Sequence, residues 1–272
     1  MKLSEIYKIA DEIAPKRLSD AYCKAAGAYD NSGLLVEACE EVTGIVFSLD
    51  LTNAAIDRAV ENGANLIITH HPVIYGKIDH ICMNDPLILG EKLVRCIRQG
   101  ISVISMHLNL DVVQGGIDDS LMQGILLAAG ETEGAGTRLI GIYHPVEDSG
   151  YGKAYDIQPI SLGTLADQMK EVFSTNRILV YGDKDAKISR VASFCGAGAD
   201  EGSIAYAKQM GAQVMVSSDF KHHLLQLLTE LGISVIVLTH YASEQYGFEK
   251  YCKKIREQVS VPCVFHTEDG CF

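Results

Sequence analysis

The chain has 272 residues, 47% of them hydrophobic, and 35 acidic against 23 basic side chains give a net charge of −12. That length supports one large domain or two smaller ones. No run reaches the roughly 18 apolar residues of a membrane span. No basic run extends beyond Lys253-Lys254, so a nucleic-acid partner is disfavoured.

Residues 1–15 place Leu3, Ile6, Ile9, Ala10 and Ile13 at helical spacing, which predicts an amphipathic helix and not a signal peptide. The eight cysteines are scattered without a C-x-x-C pair. With no secretory signal they read as reduced thiols, and the expected location is cytoplasmic. Asp30-Asn31-Ser32-Gly33 is turn chemistry, with a short strand after it. A strand over 42–49 leads to a helix that Asp50 or Thr52 caps and that runs through Asn62, with Gly63 just past its end. A strand over 66–69 follows, then a helix over 86–99 and a strand over 101–106. After a loop at Gly115-Gly116, Asp118 or Asp119 is expected to cap a helix reaching about Ala129. Residues 131–158 have weak periodicity and read as hairpin strands or long loops. Beyond them the patterns predict a Ser-capped helix over 161–173 and strands over 177–181 and 191–195. A helix to about 210, a strand over 214–217 and a helix over 221–231 come next. A strand over 233–238, a helix over 243–259 and an edge strand over 263–266 complete the chain.

Strands alternating with helices argue for α/β architecture with mainly parallel sheets. The chain also repeats itself. Residues 59–71, ending in Leu-Ile-Ile-Thr-His-His, align with 207–219, ending in Val-Met-Val-Ser-Ser-Asp. Gly-Ile-Ser-Val-Ile occurs at 100–104 and again at 232–236. The echo predicts two similar α/β lobes facing each other.

Four strand ends carry polar residues: His70-His71, His107 with Asp111, Ser218-Asp219, and His240 with Glu244. Adjacent histidines inside a strand point to opposite faces, but at a strand's end that limit lapses. Pro72 cannot extend the ladder, so the pair lies where the backbone leaves the sheet, the edge at which α/β folds bind ligands. Imidazole and carboxylate together suit borderline divalent metals such as Zn, Fe, Mn, Co or Ni. At least five candidate ligands exceed one tetrahedral shell, and the count fits two ions with Asp111 or Glu244 bridging.

Other motifs weigh less. Gly196-Ala197-Gly198 has no Gly-Lys-Ser/Thr after it, and Asp200 and Glu201 occupy the helix start a phosphate would need, so a structural turn is expected. Asp219 is either a partner of a ligand, a general base near the metals, or a cap of the helix over 221–231. His222 and His223 read as a solvated helix turn. Lys77, His80 and Lys221 read as ordinary surface groups. His144, His266 and the cysteines read as structural. No Gly-x-Ser-x-Gly elbow supports serine chemistry.

Ile-Ile-Thr-His-His-Pro, His-x-Asn-x-Asp followed by Gly-Gly, and the late Thr-His-Tyr-x-x-Glu resemble the NIF-three-like family, whose members are widely described as GTP cyclohydrolase I type 2 homologues. Asp30-Asn31-Ser32-Gly33-Leu34 resembles that family's Trp-Asp-Asn-x-Gly-Leu, with Tyr29 in the tryptophan's place, and Ser218-Asp219 resembles its Gly-Asp stretch. The resemblance implies two metal ions in a cleft between the lobes, held by His70, His71, Asp111, His240 and Glu244. It implies His107 as a ligand or proton carrier, and a homohexamer. Thr239 and Ser218 replace usual glycines and would narrow the cleft without removing a ligand. Residues 1–130 would form the N-terminal lobe and 131–272 a connecting segment with the C-terminal lobe, one family unit with no inserted domain. Two functions follow. One is a dinuclear metal-dependent hydrolase acting on GTP or a related small nucleotide, with His107 or Asp219 moving protons. The other is a non-catalytic metal-binding interaction or metal-handling protein.

Overall fold

The computed structural model describes residues 1–84, 89–131 and 138–268. The elements in chain order begin with α1 (Leu3–Ile13), α2 (Lys16–Ala26), β1 (Gly33–Val36), β2 (Ile45–Ser48), α3 (Asn53–Glu61), β3 (Leu66–Thr69), α4 (Leu89–Gln99) and β4 (Ser102–Ser105). They continue through α5 (Leu108–Val112), α6 (Ile117–Ala128), β5 (Arg138–Val146), β6 (Ser149–Ser161), α7 (Leu162–Val172), β7 (Leu179–Tyr181) and β8 (Lys187–Ser193). They end with α8 (Glu201–Gln209), β9 (Val214–Ser217), α9 (His222–Glu230), β10 (Ser234–Val237), α10 (His240–Arg256) and β11 (Cys263–Phe265). Met1–Leu110 joins the described residues from Phe248 onward in one compact unit, and Asp111–Gly247 forms the other. The boundary between the units falls at Leu110, and the segment from Phe248 returns to the first unit. Among the described residues no helix is long and apolar enough to cross a membrane.

The first unit holds a five-stranded sheet in the order β1-β4-β3-β2-β11. It is parallel throughout except for β1, which pairs antiparallel with β4. β2, β3 and β4 are each four residues long and buried along their whole length. Strands covered on both faces need continuous apolar or small side chains, which is what Ile-Val-Phe-Ser, Leu-Ile-Ile-Thr and Ser-Val-Ile-Ser supply. α3 and α4 pack Ile56, Leu93 and Cys96 against Val46, Ile67 and Val103.

The second unit holds six strands in the order β5-β6-β8-β9-β10-β7. Its core, β8-β9-β10, is parallel, while β7 and the β5-β6 hairpin add antiparallel edges. α8 and α9 bury Ile204, Leu224 and Leu228 on Ala192, Met215 and Val235. The internal echo is visible in topology: β1-β4-β3-β2 and β7-β10-β9-β8 share one strand order, each with an antiparallel strand beside its last parallel one.

Several local expectations change. Thr52, not Asp50, caps α3, its hydroxyl accepting from Ala55 N at 3.0 Å. The N-cap of α6 is Gly116; Asp118 and Asp119 lie inside the first turn, held by a partner far along the chain. α10 opens at His240 and not at 243. α2 follows α1 after Pro15 and ends in Gly27 at φ +67°, a left-handed cap that glycine adopts without strain. The weakly periodic middle is the β5-β6 hairpin. Residues 86–88, 132–137 and Cys271 lie outside the described residues.

Candidate metal centre

The carboxyl ends of the parallel strands in the first unit deliver three histidines. His70 and His71 leave β3 with both backbone N–H groups donating to Leu49 O, at 3.1 and 3.0 Å. His107 comes two residues after β4, its backbone N–H donating to Ser32 Oγ at 3.0 Å. One ring nitrogen from each of the three lies within 4.8 Å of those of the other two. Each ring is fixed through Nδ1: His70 on Met106 O, His71 on Asp50 Oδ1 and His107 on Asp30 Oδ1, all at 2.8 Å. A carbonyl or carboxylate oxygen only accepts, so Nδ1 carries a proton, and in the neutral ring the lone pair is on Nε2. That is the arrangement of metal-ligating histidines, whose second nitrogen is tied to a carbonyl or carboxylate. Burial penalises the Asp30 carboxylate, yet hydrogen bonds from His107, Ser19 and Ser32 outweigh it and hold the group well below the usual carboxylate range.

The second unit presents a different donor set at the same ends of its own parallel strands. His240 and Glu244 are one turn apart on α10, with Nε2 and Oε1 at 3.1 Å. Asp219 follows β9, and its Oδ2 accepts from His240 Nδ1 at 2.6 Å. Asp219 has φ +52°, a left-handed backbone that aspartate tolerates at modest cost. The cap of α9 is Lys221, so Asp219 is no helix cap; it is the partner that orients His240. With Nδ1 protonated against Asp219, the His240 Nε2 lone pair faces a carboxylate oxygen. A proton or a cation between the two reconciles that contact. A carboxylate oxygen of Asp111 lies within 4.8 Å of one of Glu244. Both acids are nearly buried, at 4% and 3% exposure, where paired carboxylates call for a positive charge.

The loop after β8 completes this cradle. Gly196 has φ +54°, and a Cβ built there would stand 2.1 Å from Glu244 Oε1 and 3.2 Å from His240 Nε2. Cys195 donates through Sγ to Asp111 Oδ1 at 3.5 Å. Burial first, then the carboxylates of Asp111, Asp118 and Glu244, push this thiol well above its ordinary value, so it stays protonated and serves as a donor. The loop is pinned by Asp118 Oδ1 accepting from Cys195 N at 3.1 Å and by Ser243 Oγ accepting from Gly196 N at 3.1 Å. Asp118 is in turn held by Lys153, 2% exposed, whose Nζ lies 2.7 Å from Asp118 and 2.9 Å from Asp119. The Gly196 loop is therefore a structural turn, and Asp200 caps α8 in a capping box with Ser203.

Both donor sets suit borderline divalent ions: three oriented imidazoles in the first unit, and an oriented imidazole with two buried carboxylates in the second. Among the described residues, the groups placed close enough to share an ion are His70, His71, His107, Asp111, His240 and Glu244, all singled out from sequence; the supporting roles of Asp30, Asp50, Asp118, Lys153 and Cys195 were not. Asp30 and Asp50 carried a usable signal, since each stands next to a turn or the end of a parallel strand. Lys153 carried none. His222 and His223 are exposed at the start of α9, as expected.

The family model described as Duf34/NIF3 (NGG1p interacting factor 3) matches residues 1–269. A Clostridium perfringens protein named GTP cyclohydrolase 1 type 2 homolog is 29% identical, over 95% of this chain and 93% of its own. A Clostridium acetobutylicum protein of the same name is 30% identical, over 94% and 90%. The Schizosaccharomyces pombe protein named NIF3 homolog is 28% identical, over 93% and 88%. Among solved structures, a Bacillus cereus protein related to NIF3 superposes with a TM-score of 0.77 at 20% identity, covering 100% of this chain and 99% of that one. Reduced HcgD from Methanocaldococcus jannaschii gives 0.78 at 24%, covering 97% of each. Both likenesses concern the fold.

Proposed function

Because the chain belongs to the Duf34/NIF3 family, we propose that His70, His71, Asp111, His240 and Glu244 hold two divalent metal ions and that the protein is a hydrolase acting on GTP or a related nucleotide. One observation carries the reading: four imidazoles at parallel-strand ends each have Nδ1 tied to its own acceptor, which is what coordination through Nε2 requires. Ions bound there supply Lewis acidity, acidifying a water and stabilising negative charge that develops on the substrate. Asp50 and Asp219 hold His71 and His240 in the coordinating tautomer. His107, locked on Asp30, either completes the ligand set or accepts and returns a proton through Nε2. Asp219 is a positioning residue in this scheme. The nucleotide comes from the relatives' printed names. By the same family resemblance the chain assembles as a homohexamer, about 177 kDa for six 29.5 kDa copies, which light scattering reads directly.

The family's description as an interacting factor favours a second reading, a catalytically silent metal-binding protein that serves a partner. Elemental analysis of protein purified without chelator or affinity-tag metal, paired with GTP turnover, separates the two. About two ions per chain, a sharp fall in His71→Ala and turnover abolished by chelation support the hydrolase. Two retained ions without turnover support the second reading. Less than about one ion per chain after incubation with Zn, Mn or Fe overturns both.

A further inference from the structure

The loop that follows the histidine pair treats its apolar residues unequally. Val73 and Ile74 pack against the core of the first unit. Tyr75, the next residue, turns outward and is 61% exposed. It meets a second outward aromatic, Tyr29, which is 53% exposed. Their rings pack edge to face, with centroids 5.5 Å apart at 83°. Single exposed apolar residues need no explanation, but an exposed aromatic pair held in fixed geometry does.

Fixed it is. Asn31 Nδ2 donates to Ile74 O at 2.7 Å, joining the 29–32 turn to the loop that carries Tyr75. The Tyr75 hydroxyl donates to Tyr29 O at 3.2 Å. The same turn supplies Asp30 to His107. The Tyr75 ring stands edge-on to the His107 ring, centroids 6.3 Å apart at 90°. Two largely exposed rings are thus held on a braced rim, one ring away from the histidine cluster. Exposed aromatic rings held in place bind flat π-systems, because every base has a face to stack and little side-chain entropy is lost on binding.

We infer that Tyr29 and Tyr75 form a stacking subsite for the planar heteroaromatic ring of a ligand, a purine base, beside the His70-His71-His107 cluster. The inference rests on the metal-centre reading only for where the rest of the ligand goes; the ring contact itself is a property of the two tyrosines. It assigns the hydrophobic part of substrate recognition to residues that hold no metal.

The test titrates metal-loaded protein by calorimetry with inosine, a purine nucleoside without phosphate, and separately with inorganic phosphate. The proteins are the natural chain, Tyr75→Ala, Tyr29→Ala and Tyr75→Phe, with metal content measured on the same samples. Tyr75→Ala and Tyr29→Ala should weaken inosine binding about five- to hundred-fold, the range that stacking a base is worth. Tyr75→Phe should retain most of it, and phosphate binding should be unchanged in all variants. Equal inosine affinity in Tyr75→Ala and the natural chain overturns the subsite, as does no inosine binding by the natural chain. Inosine and phosphate weakening together also overturns it, because the substitutions would then be disturbing the metal centre. If the samples hold no metal but inosine binding still depends on both tyrosines, the metal-centre reading fails and the subsite stands.

Discussion

Gly196 and Asp219 separate folding from coordination at the residue scale. A methyl at Gly196 would collide with Glu244 Oε1 and force a β-carbon into a left-handed backbone. Gly196→Ala should therefore lose both metal affinity and about 1–3 kcal/mol of stability, read by elemental analysis and thermal melts. Asp219→Gly should behave differently. It deletes the acceptor that fixes His240 but relieves the cost of aspartate at φ +52°. Metal affinity should fall about 10–100-fold, as losing a ligand's hydrogen-bond partner usually does, while the melting temperature holds or rises. A melting temperature that falls in parallel with affinity would make Asp219 structural. The proposed ligands were legible because the histidines stand at the ends of apolar runs, with Asp111 and Glu244 four residues beyond His107 and His240, a pattern sequence preserves. Their supporting acids were not, since Asp30 and His107 are 77 residues apart and no local spacing encodes that pairing. Cys195 was passed over as a structural thiol for the same reason: its meaning comes from Asp111, 84 residues away.

The element with most at stake is the hairpin strand β6, which sends Lys153 into the first turn of α6. Asp118 there accepts from Lys153 and from the backbone N–H groups of Gly152 and Cys195. One ion pair thereby ties a helix, a hairpin and the loop beneath Glu244. Replacing Lys153 by Met leaves a fully buried carboxylate without its cation, at about 3–5 kcal/mol. Burial opposes the charge on Lys153, but Asp118 and Asp119 outweigh it and raise its pKa above the ordinary lysine value. A raised folded-state pKa means the pair's contribution is fully present below the unfolded value of about 10.4. It is lost only as pH climbs through the raised one. Burial alone pushes the Asp118 carboxyl up, and Lys153 opposes that, so the stability gap between the natural chain and Lys153→Met should hold or widen, but not close, in denaturant titrations from pH 7 to 10; a gap that closes within that window would show Lys153 neutral in the folded chain. Helices and parallel strands were readable here because their apolar periods are regular. The hairpin was readable only as one of two alternatives, hairpin strands or long loops, because β5 is largely half-buried or exposed along its length and lacks an alternating face. The acids of α6 looked like caps because turn chemistry does not reveal a lysine 35 residues downstream.

At the scale of the whole molecule, the chain's two ends build one unit. β11 pairs parallel with β2 at the edge of the first sheet, Cys263 opposite Ile45 and Phe265 opposite Phe47. Phe265 lies 6.4 Å from Phe47 and 6.2 Å from Phe248 between ring centroids, and Phe248 in turn lies 6.2 Å from the His70 ring. The Tyr251 hydroxyl donates to Ala10 O at 3.2 Å, tying α10 to α1. The apolar wall behind the first histidine thus comes from the segment that returns to the first unit. Alternating strands and helices made the α/β class legible, and the internal echo made its duplication legible, but a linear reading divides a duplicated chain into consecutive halves. It has no means of seeing that a final strand crosses back to the first sheet, because β11 is three residues long and carries no signal of its partner. A fragment of residues 1–130 should therefore fail to fold cooperatively. It would expose Phe47 along an unpaired parallel strand and leave the sheet edge open to association. Circular dichroism melts of that fragment should be broad, and its amide spectrum poorly dispersed. Adding a peptide of residues 246–268 should sharpen the transition if the missing wall is the cause. A sharp, reversible melt for 1–130 alone would instead mean that β2 to β4 and their helices suffice, and that the returning segment is a late addition to a self-sufficient lobe.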